Sequence, residues 1–301
     1  MDLQKPSSRS PSSKLIEFDI KLKKILFALL VTLVPSELYA DAVTAQSAME
    51  DPTNPLILLS TSTGDIYIEL LSREAPNNVE NFLALAHGEI EFINPNSNTS
   101  FQPRYFDGMQ FHRVVPGFVV QAGSPYHNPL GMPSNLLSDE INANSLGLDQ
   151  QQVLDADGNF NSLLNIQSKE EFHEILLKPL YASLEIESEA EMLDRQFEIF
   201  NTLNSLTIKQ AYENEGYRYT NERPTRKITR GIVALANAGP NQNGPEFFIA
   251  LENSPWLSGR NTVIGKIVEG METADAIGNT EIDPVNPSRF ATLIYSLRRI
   301  N

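Results

Sequence analysis

Regular alternation of apolar and polar positions begins near residue 56. Residues 56–59 form one apolar run, and after Thr63-Gly64 the stretch Asp65-Ile66-Tyr67-Ile68-Glu69-Leu70 alternates as a half-buried strand does. The pair predicts a hairpin. The period then lengthens. Glu74-Ala75-Pro76 opens a helix with proline in its first turn, and Val79, Phe82, Leu83 and Leu85-Ala86 share one face before Gly88 ends it. Further short strands are predicted at 109–115, 118–122, 231–237, 247–251, 263–268 and 291–297, with a second short helix at 271–277. Many short strands separated by turn residues, with two helices, predict a mostly β domain: a closed antiparallel barrel.

Residues 142–226 interrupt this rhythm. Residues 153–160 predict a hairpin around a tight turn. Ser168-Lys169-Glu170-Glu171 has the form of a capping box before Phe172, Ile175 and Leu176. Apolar residues then recur at helical spacing as Met192-Leu193, Phe197, Phe200 and Leu203, a stripe that reads as core packing, and a short helix follows at 207–214. The stretch is expected to be a helical insertion in the barrel, its helices packed on one another. Asp155, Asp157 and Asn159 resemble calcium ligands only superficially. A calcium loop of the EF-hand type needs Gly sixth and Glu twelfth; here Gly158 is fourth and Ile166 twelfth, so a turn is expected.

Charge and composition narrow the partners. The chain has 301 residues, enough for one large domain or two modest ones, and a formal net charge of -15. Such a surface repels nucleic acid and anionic membrane, and suits neutral or basic polypeptide. There is no cysteine, so disulfides, thiolate nucleophiles and cysteine-bound zinc are excluded. Near the N-terminus, Lys21, Lys23 and Lys24 precede an apolar run at 25–34, and Leu38-Tyr39-Ala40 ends on a small residue before Asp41. These are the parts of a secretory signal, and the run is shorter than the about 20 residues a transmembrane helix needs. The expected division is a signal peptide at 1–40, a linker at 41–54 and one domain at 55–301 interrupted at about 142–226. Export, to a periplasm for example, is the expected destination, with an uncleaved N-terminal anchor as the alternative.

No Walker loop, HExxH pair or Rossmann fingerprint occurs, and the four histidines, His87, His112, His127 and His173, lack metal-ligand spacing. No cofactor is called for. Two segments stand out: residues 106–123, containing FHRVVPGFVVQAG, and residues 231–265, containing ALANAGPNQNGPEFFI and WLSGRNTVIG. On strands of one parity, Arg113, Val115, Val119 and Gln121 set a guanidinium beside an amide and apolar side chains. Phe118, Val119, Phe248 and Leu257 could form an apolar cup that holds a proline ring. Periodicity alone reads the same residues as core packing plus a surface arginine.

Both segments resemble the cyclophilin family of peptidyl-prolyl cis/trans isomerases almost residue for residue. The likeness covers about 55–140 and 228–300, roughly one ordinary domain. It implies an eight-stranded barrel capped by two helices, acting on X-Pro bonds. It further implies that Arg113 is the catalytic arginine and that Phe118, Val119, Phe248 and Leu257 form the proline pocket. Gln121, Ala236 and Asn237 would hold the substrate backbone, and Trp256 would stand at the rim. Val119 replaces a usual methionine, Glu246 stands where the family usually has glutamine, and Asn261 where many members have histidine. Implied partners are proline-containing polypeptide clients and the cyclic peptide ciclosporin. The expected function is an isomerase assisting the folding of exported proteins. The alternative is a chaperone or scaffold of the same fold that grips clients through the insertion with little or no catalysis.

Overall fold

The structure, a computed structural model, describes Met1 and residues 41–93, 97–131, 133, 136–280 and 291–301. The expected signal segment lies almost wholly outside the described residues. Among these residues, no helix is long and apolar enough to cross a membrane.

Eight strands form one antiparallel sheet. In chain order they are β1 (Leu56–Thr61), β2 (Asp65–Leu70), β5 (Arg113–Val115), β6 (Val119–Ala122), β7 (Ile232–Asn237), β8 (Asn243–Ala250), β9 (Val263–Glu269) and β10 (Ile294–Arg299). Their order in space is β10-β1-β2-β9-β7-β8-β6-β5. A separate two-stranded ribbon pairs β3 (Phe92–Ile93) with β4 (Ser100–Phe101).

The expected closed barrel is an open half-barrel, with β5 and β10 as its two edges. Residues 109–112, expected to lengthen β5, instead follow a turn and cross to the far edge. There they make the isolated bridge Gln110↔Leu293 and a few backbone bonds, including Ile294 N to Met109 O at 2.7 Å and Phe111 N to Thr292 O at 3.0 Å. Burial explains the detour, since Phe106, Met109 and Phe111 turn inward to the core.

The sheet is apolar on both faces, as its sequence runs require. The inner face carries Ile66, Ile68, Val120, Val233, Leu235, Phe247 and Ile249 into the main core. Helix α2 (Pro76–His87) adds Val79, Phe82 and Leu85 to that core and ends on Gly88 in the left-handed region at φ 75°. A second helix, Met271–Gly278, contributes Ala274 and Ile277 to the same core. The stretch 41–54, expected as a linker, contains helix α1 (Ala42–Ala48), capped by the Asp41 carboxylate. The fully buried Glu69 then accepts from Glu50 N, Asp51 N and Asn54 Nδ2, which fastens this segment to β2.

Between β6 and β7 the chain makes its helical excursion. Asp155 accepts from Asp157 N and Asn159 N, so its carboxylate is spent on a turn. Capping boxes start α3 (Lys169–Phe172), α5 (Glu189–Asp194) and α7 (Ile208–Glu215); α4 (Lys178–Ser183) lies between the first two, and α6 (Gln196–Ser205) follows directly on α5. Leu146, Leu148, Val153, Leu164, Leu176, Leu180, Leu203 and Tyr212 form a second core. One expectation fails here. Of the apolar stripe read as core packing, only Leu203 is buried; Leu193, Phe197 and Phe200 are 71%, 76% and 62% exposed.

Side-chain ties join the excursion to the rest of the chain. Arg226, where the chain returns, bonds the carboxylates of Glu74 and Glu50. Glu215 pairs with Arg260, whose guanidinium lies 5.0 Å from the centre of the Tyr212 ring. Beside them Gly259, at φ +91°, admits no side chain: a Cβ there would lie 2.4 Å from Leu148 Cδ1.

Candidate active site

The outer face of the sheet has its own apolar cluster, which includes Val119, Ala234, Phe248, Ala250 and Val263. Register explains why these residues meet. Arg113 pairs with Gln121, Gln121 with Phe248, and Phe248 with Ala234, so one row crosses β5, β6, β8 and β7 on one face. The neighbouring row runs Val115, Val119, Ala250. Arg113, Val115, Val119 and Gln121 therefore share a face, with the Pro116-Gly117 turn between the two strands. Gly117 sits at φ 67°, a backbone state that suits glycine.

Phe118, Ala236 and Leu257 are half-buried against this cluster, so Phe118, Val119, Phe248 and Leu257 pack together in one apolar patch where the cup was expected. Leu257 comes from the short 3-10 turn Pro255–Leu257. Trp256, in the same turn, stacks on Phe118 with ring centres 5.9 Å apart and 30° between planes. The Arg113 guanidinium also lies over Phe118, 5.9 Å from its ring centre. Arg113 is exposed at the edge strand.

Polar groups form a connected line beside the cup. Arg113 Nη1 donates to Gln121 Oε1 at 3.1 Å, and Gln121 Nε2 donates to Glu246 Oε1. The same carboxylate oxygen is 3.0 Å from His112 Nε2. Glu246 lies two residues before Phe248, the direct partner of Gln121, so it is the diagonal neighbour across the strand pair. Burial pushes the Glu246 carboxyl up, but hydrogen bonds from His112 and Gln121 outweigh it and hold the group below its ordinary value of 4.5. His112 in turn stacks on His127 at 4.8 Å, and its Nδ1 is buried without a hydrogen-bond partner.

A groove of about 240 Å³ opens on this line, walled by Gln121, Tyr126, Ala236, Asn237, Gln242 and Glu246. The β7–β8 register shifts between Leu235, opposite Phe247, and Asn237, opposite Asn243, so Gly244, Pro245 and Glu246 of β8 bulge opposite Ala236 alone. Asn237 Nδ2 donates to Arg260 O, and Asn261 Nδ2 donates to Leu235 O, both at 2.9 Å. Both amide donors thus brace the loop that carries Trp256 and Leu257.

The sequence marks His112 only as lacking metal-ligand spacing and does not reveal its bond to Glu246. It also gives Tyr126 no role, although Tyr126 is 90% exposed at the groove. Spacing offers no signal for either, since His112 and Glu246 are separated by 134 positions. Among the described residues no cluster of His, Asp or Glu is arranged to hold a metal.

Chemically, the face sets an apolar patch beside a guanidinium donor and a side-chain amide. The family described as cyclophilin type peptidyl-prolyl cis-trans isomerase/CLD matches residues 56–297. Peptidyl-prolyl cis-trans isomerase B of Streptomyces anulatus is 28% identical over 231 residues, 76% of this chain and 85% of the relative. Peptidyl-prolyl cis-trans isomerase-like 1 of Rhizopus delemar is 24% identical over 250 residues, 81% of this chain and 93% of the relative. A solved cyclophilin-type isomerase of Cryptosporidium parvum shares 19% identity at a TM-score of 0.46, covering 82% of this chain and 98% of that one. With its family match spanning both halves of the sheet and the excursion between them, the chain belongs to the cyclophilin-type peptidyl-prolyl cis-trans isomerases.

Proposed function

We propose that the outer face of the half-barrel catalyses X-Pro isomerisation in exported polypeptides, with Arg113 as the catalytic group. The observation that carries this reading is the direct pairing of Arg113 with Gln121 beside an apolar cluster on the same face. Amide resonance sets the barrier at about 18–20 kcal/mol, so an unassisted X-Pro bond turns over in tens to hundreds of seconds. The reaction makes and breaks no covalent bond. The cup of Phe118, Val119, Phe248 and Leu257 holds the ring, while Gln121, Ala236 and Asn237 hold the flanking backbone. As the peptide twists, the prolyl nitrogen becomes pyramidal and gains a lone pair. Arg113 donates a hydrogen bond to that nitrogen, which accepts poorly in the planar ground state. The interaction is thus stronger in the transition state, the condition for acceleration.

The Lys21, Lys23 and Lys24 flank and the apolar run at 25–34 support export, and hence folding assistance outside the cytoplasm, with periplasmic clients as one case. Ciclosporin, a cyclic peptide, is proposed to occupy the same groove beside Trp256. A protease-coupled assay on an Ala-Pro peptide tests the catalytic reading directly. Acceleration that the Arg113→Ala variant lacks supports it; no acceleration by the intact chain leaves a binding module of the same fold.

A further inference from the structure

Helices α5 and α6 leave an apolar face uncovered. Phe197 and Phe200 lie three apart on α6 and so share one side of that helix, and Leu193 is exposed on α5 just before the break at Arg195. All three are well over half exposed, while Ile199 and Leu203 on the other side pack into the second core. Among the described residues nothing covers these three large apolar side chains, and exposure of this kind marks an interaction surface. The face has a companion cavity. A groove of about 610 Å³ lies against the start of α5, walled by Tyr181, Ile186, Met192, Glu185, Glu187 and Glu189. Met192 on its wall directly precedes Leu193 of the exposed row.

Charge identifies the occupant. Residues 185–198 hold six carboxylates and one cation, Arg195, which is already bound by Glu198 at 2.8 and 3.0 Å. Lys178, also on the groove wall, is taken by Glu174 at 2.8 Å. Glu191 is spent on capping its own helix. Glu185, Glu187, Glu189 and Asp194 have no ion-pair partner among the described residues. An apolar surface ringed by unpaired carboxylates complements a segment that carries apolar and basic side chains together. A second copy of this chain does not: its net charge is -15, and facing helices would set like charges against one another. Nucleic acid is repelled by the same charge.

We propose that the face formed by Leu193, Phe197 and Phe200, with its adjoining acidic groove, is a docking site for an apolar, lysine- or arginine-bearing segment of another polypeptide. This site is separate from the cup and does not depend on proline, so the proposal stands or falls apart from the catalytic reading. Its role is to hold a basic client while the cup works on a proline elsewhere in the same chain, which raises the effective concentration of that proline.

The test uses the full chain and a fluorescein-labelled, proline-free peptide of lysine and leucine, with a glutamate-leucine peptide as control. The lysine-leucine peptide is expected to bind, and the glutamate-leucine peptide to fail. The double variant Phe197→Ser/Phe200→Ser should weaken binding about tenfold or more, and raising salt from about 50 mM to about 500 mM should weaken it further. The triple variant Glu185→Gln/Glu187→Gln/Glu189→Gln should lose most of that salt dependence. Circular dichroism and turnover of a short Ala-Pro peptide should match wild type in both variants, since neither touches the cup. Equal binding by the Phe variant, or equal binding of the glutamate-leucine peptide, would overturn the proposal. So would sedimentation showing a wild-type dimer that the Phe variant converts to monomer, because the face would then be covered by a second copy.

Discussion

Glu246 dictates which way the Gln121 amide faces. A carboxylate only accepts hydrogen bonds, so Gln121 must turn Nε2 toward Glu246 and leave Oε1 toward Arg113. A glutamine at position 246 would satisfy either orientation. Glu246 makes no direct ion pair with Arg113; its carboxylate is taken by Gln121 and His112. Glu246→Gln should therefore let Gln121 flip and lower kcat/KM on a neutral Ala-Pro peptide by about two- to fivefold, about 0.4–1 kcal/mol. Faster turnover by this variant would show instead that the carboxylate draws on the charge of Arg113. A lost preference for lysine-flanked substrates, with the neutral peptide unaffected, would assign Glu246 to client charge.

Arg113 is exposed, so replacing it removes chemistry without opening a cavity. Arg113→Ala should lower kcat/KM about a hundredfold or more, about 2.7 kcal/mol, and leave the thermal midpoint close to wild type. Activity like the wild type's would refute the proposed hydrogen bond to the prolyl nitrogen.

Glu50 supplies an acid-sensitive tie between α1, the returning excursion and β9. Hydrogen bonds from Arg226 and Lys266 lower its pKa from 4.5 to about 2. Because the folded value lies below the unfolded one, the stabilisation is complete above pH 4.5 and is lost as pH falls toward about 2. Wild type should lose thermal stability across that window more steeply than Glu50→Gln, which cannot titrate. Parallel curves for the two proteins would show that the tie contributes nothing.

Glu215 and Arg260 connect the second core to the loop bearing Trp256. Arg260 is 28% exposed at its side chain and Glu215 15%, between a surface pair and a buried one. Glu215→Ala should accordingly destabilise the chain by about 2 kcal/mol. The loop should loosen as well, and Trp256 gives a local readout because it is the only tryptophan. Its emission should shift in the variant, and the change on adding an Ala-Pro peptide should shrink. Unaltered Trp256 emission would mean that the excursion leaves the loop untouched.

Much of this was legible in the sequence. Alternation located β1, β2 and β9 to within a residue or two, and Pro76 and Gly88 marked both ends of α2. Parity placed Arg113, Val119 and Gln121 on one face, as the register shows. Other features left no local trace. Residues 109–112 alternate like a strand, yet whether they join β5 or cross to Leu293 depends on which inward side chains the core can take. The row Leu193, Phe197, Phe200 has the spacing of a buried stripe, and spacing describes a face without saying what covers it. The meeting of His112 and Glu246 depends on the lateral order of distant strands, which no window along the chain contains.

Arg113 stands on the weakest strand of the sheet. β5 is three residues long and has a ladder on one side only, and it is residues 108–111 before it that reach toward β10, through a few isolated backbone bonds. Local opening of that seam breaks few contacts, so amides at 113–115 should exchange with solvent faster than those of β1 or β8. Each such opening carries the guanidinium away from the cup while the main core stays intact. In rising denaturant, isomerase activity should therefore disappear before the core unfolds, and cooling or a bound peptide that stills the seam should bring the two transitions together.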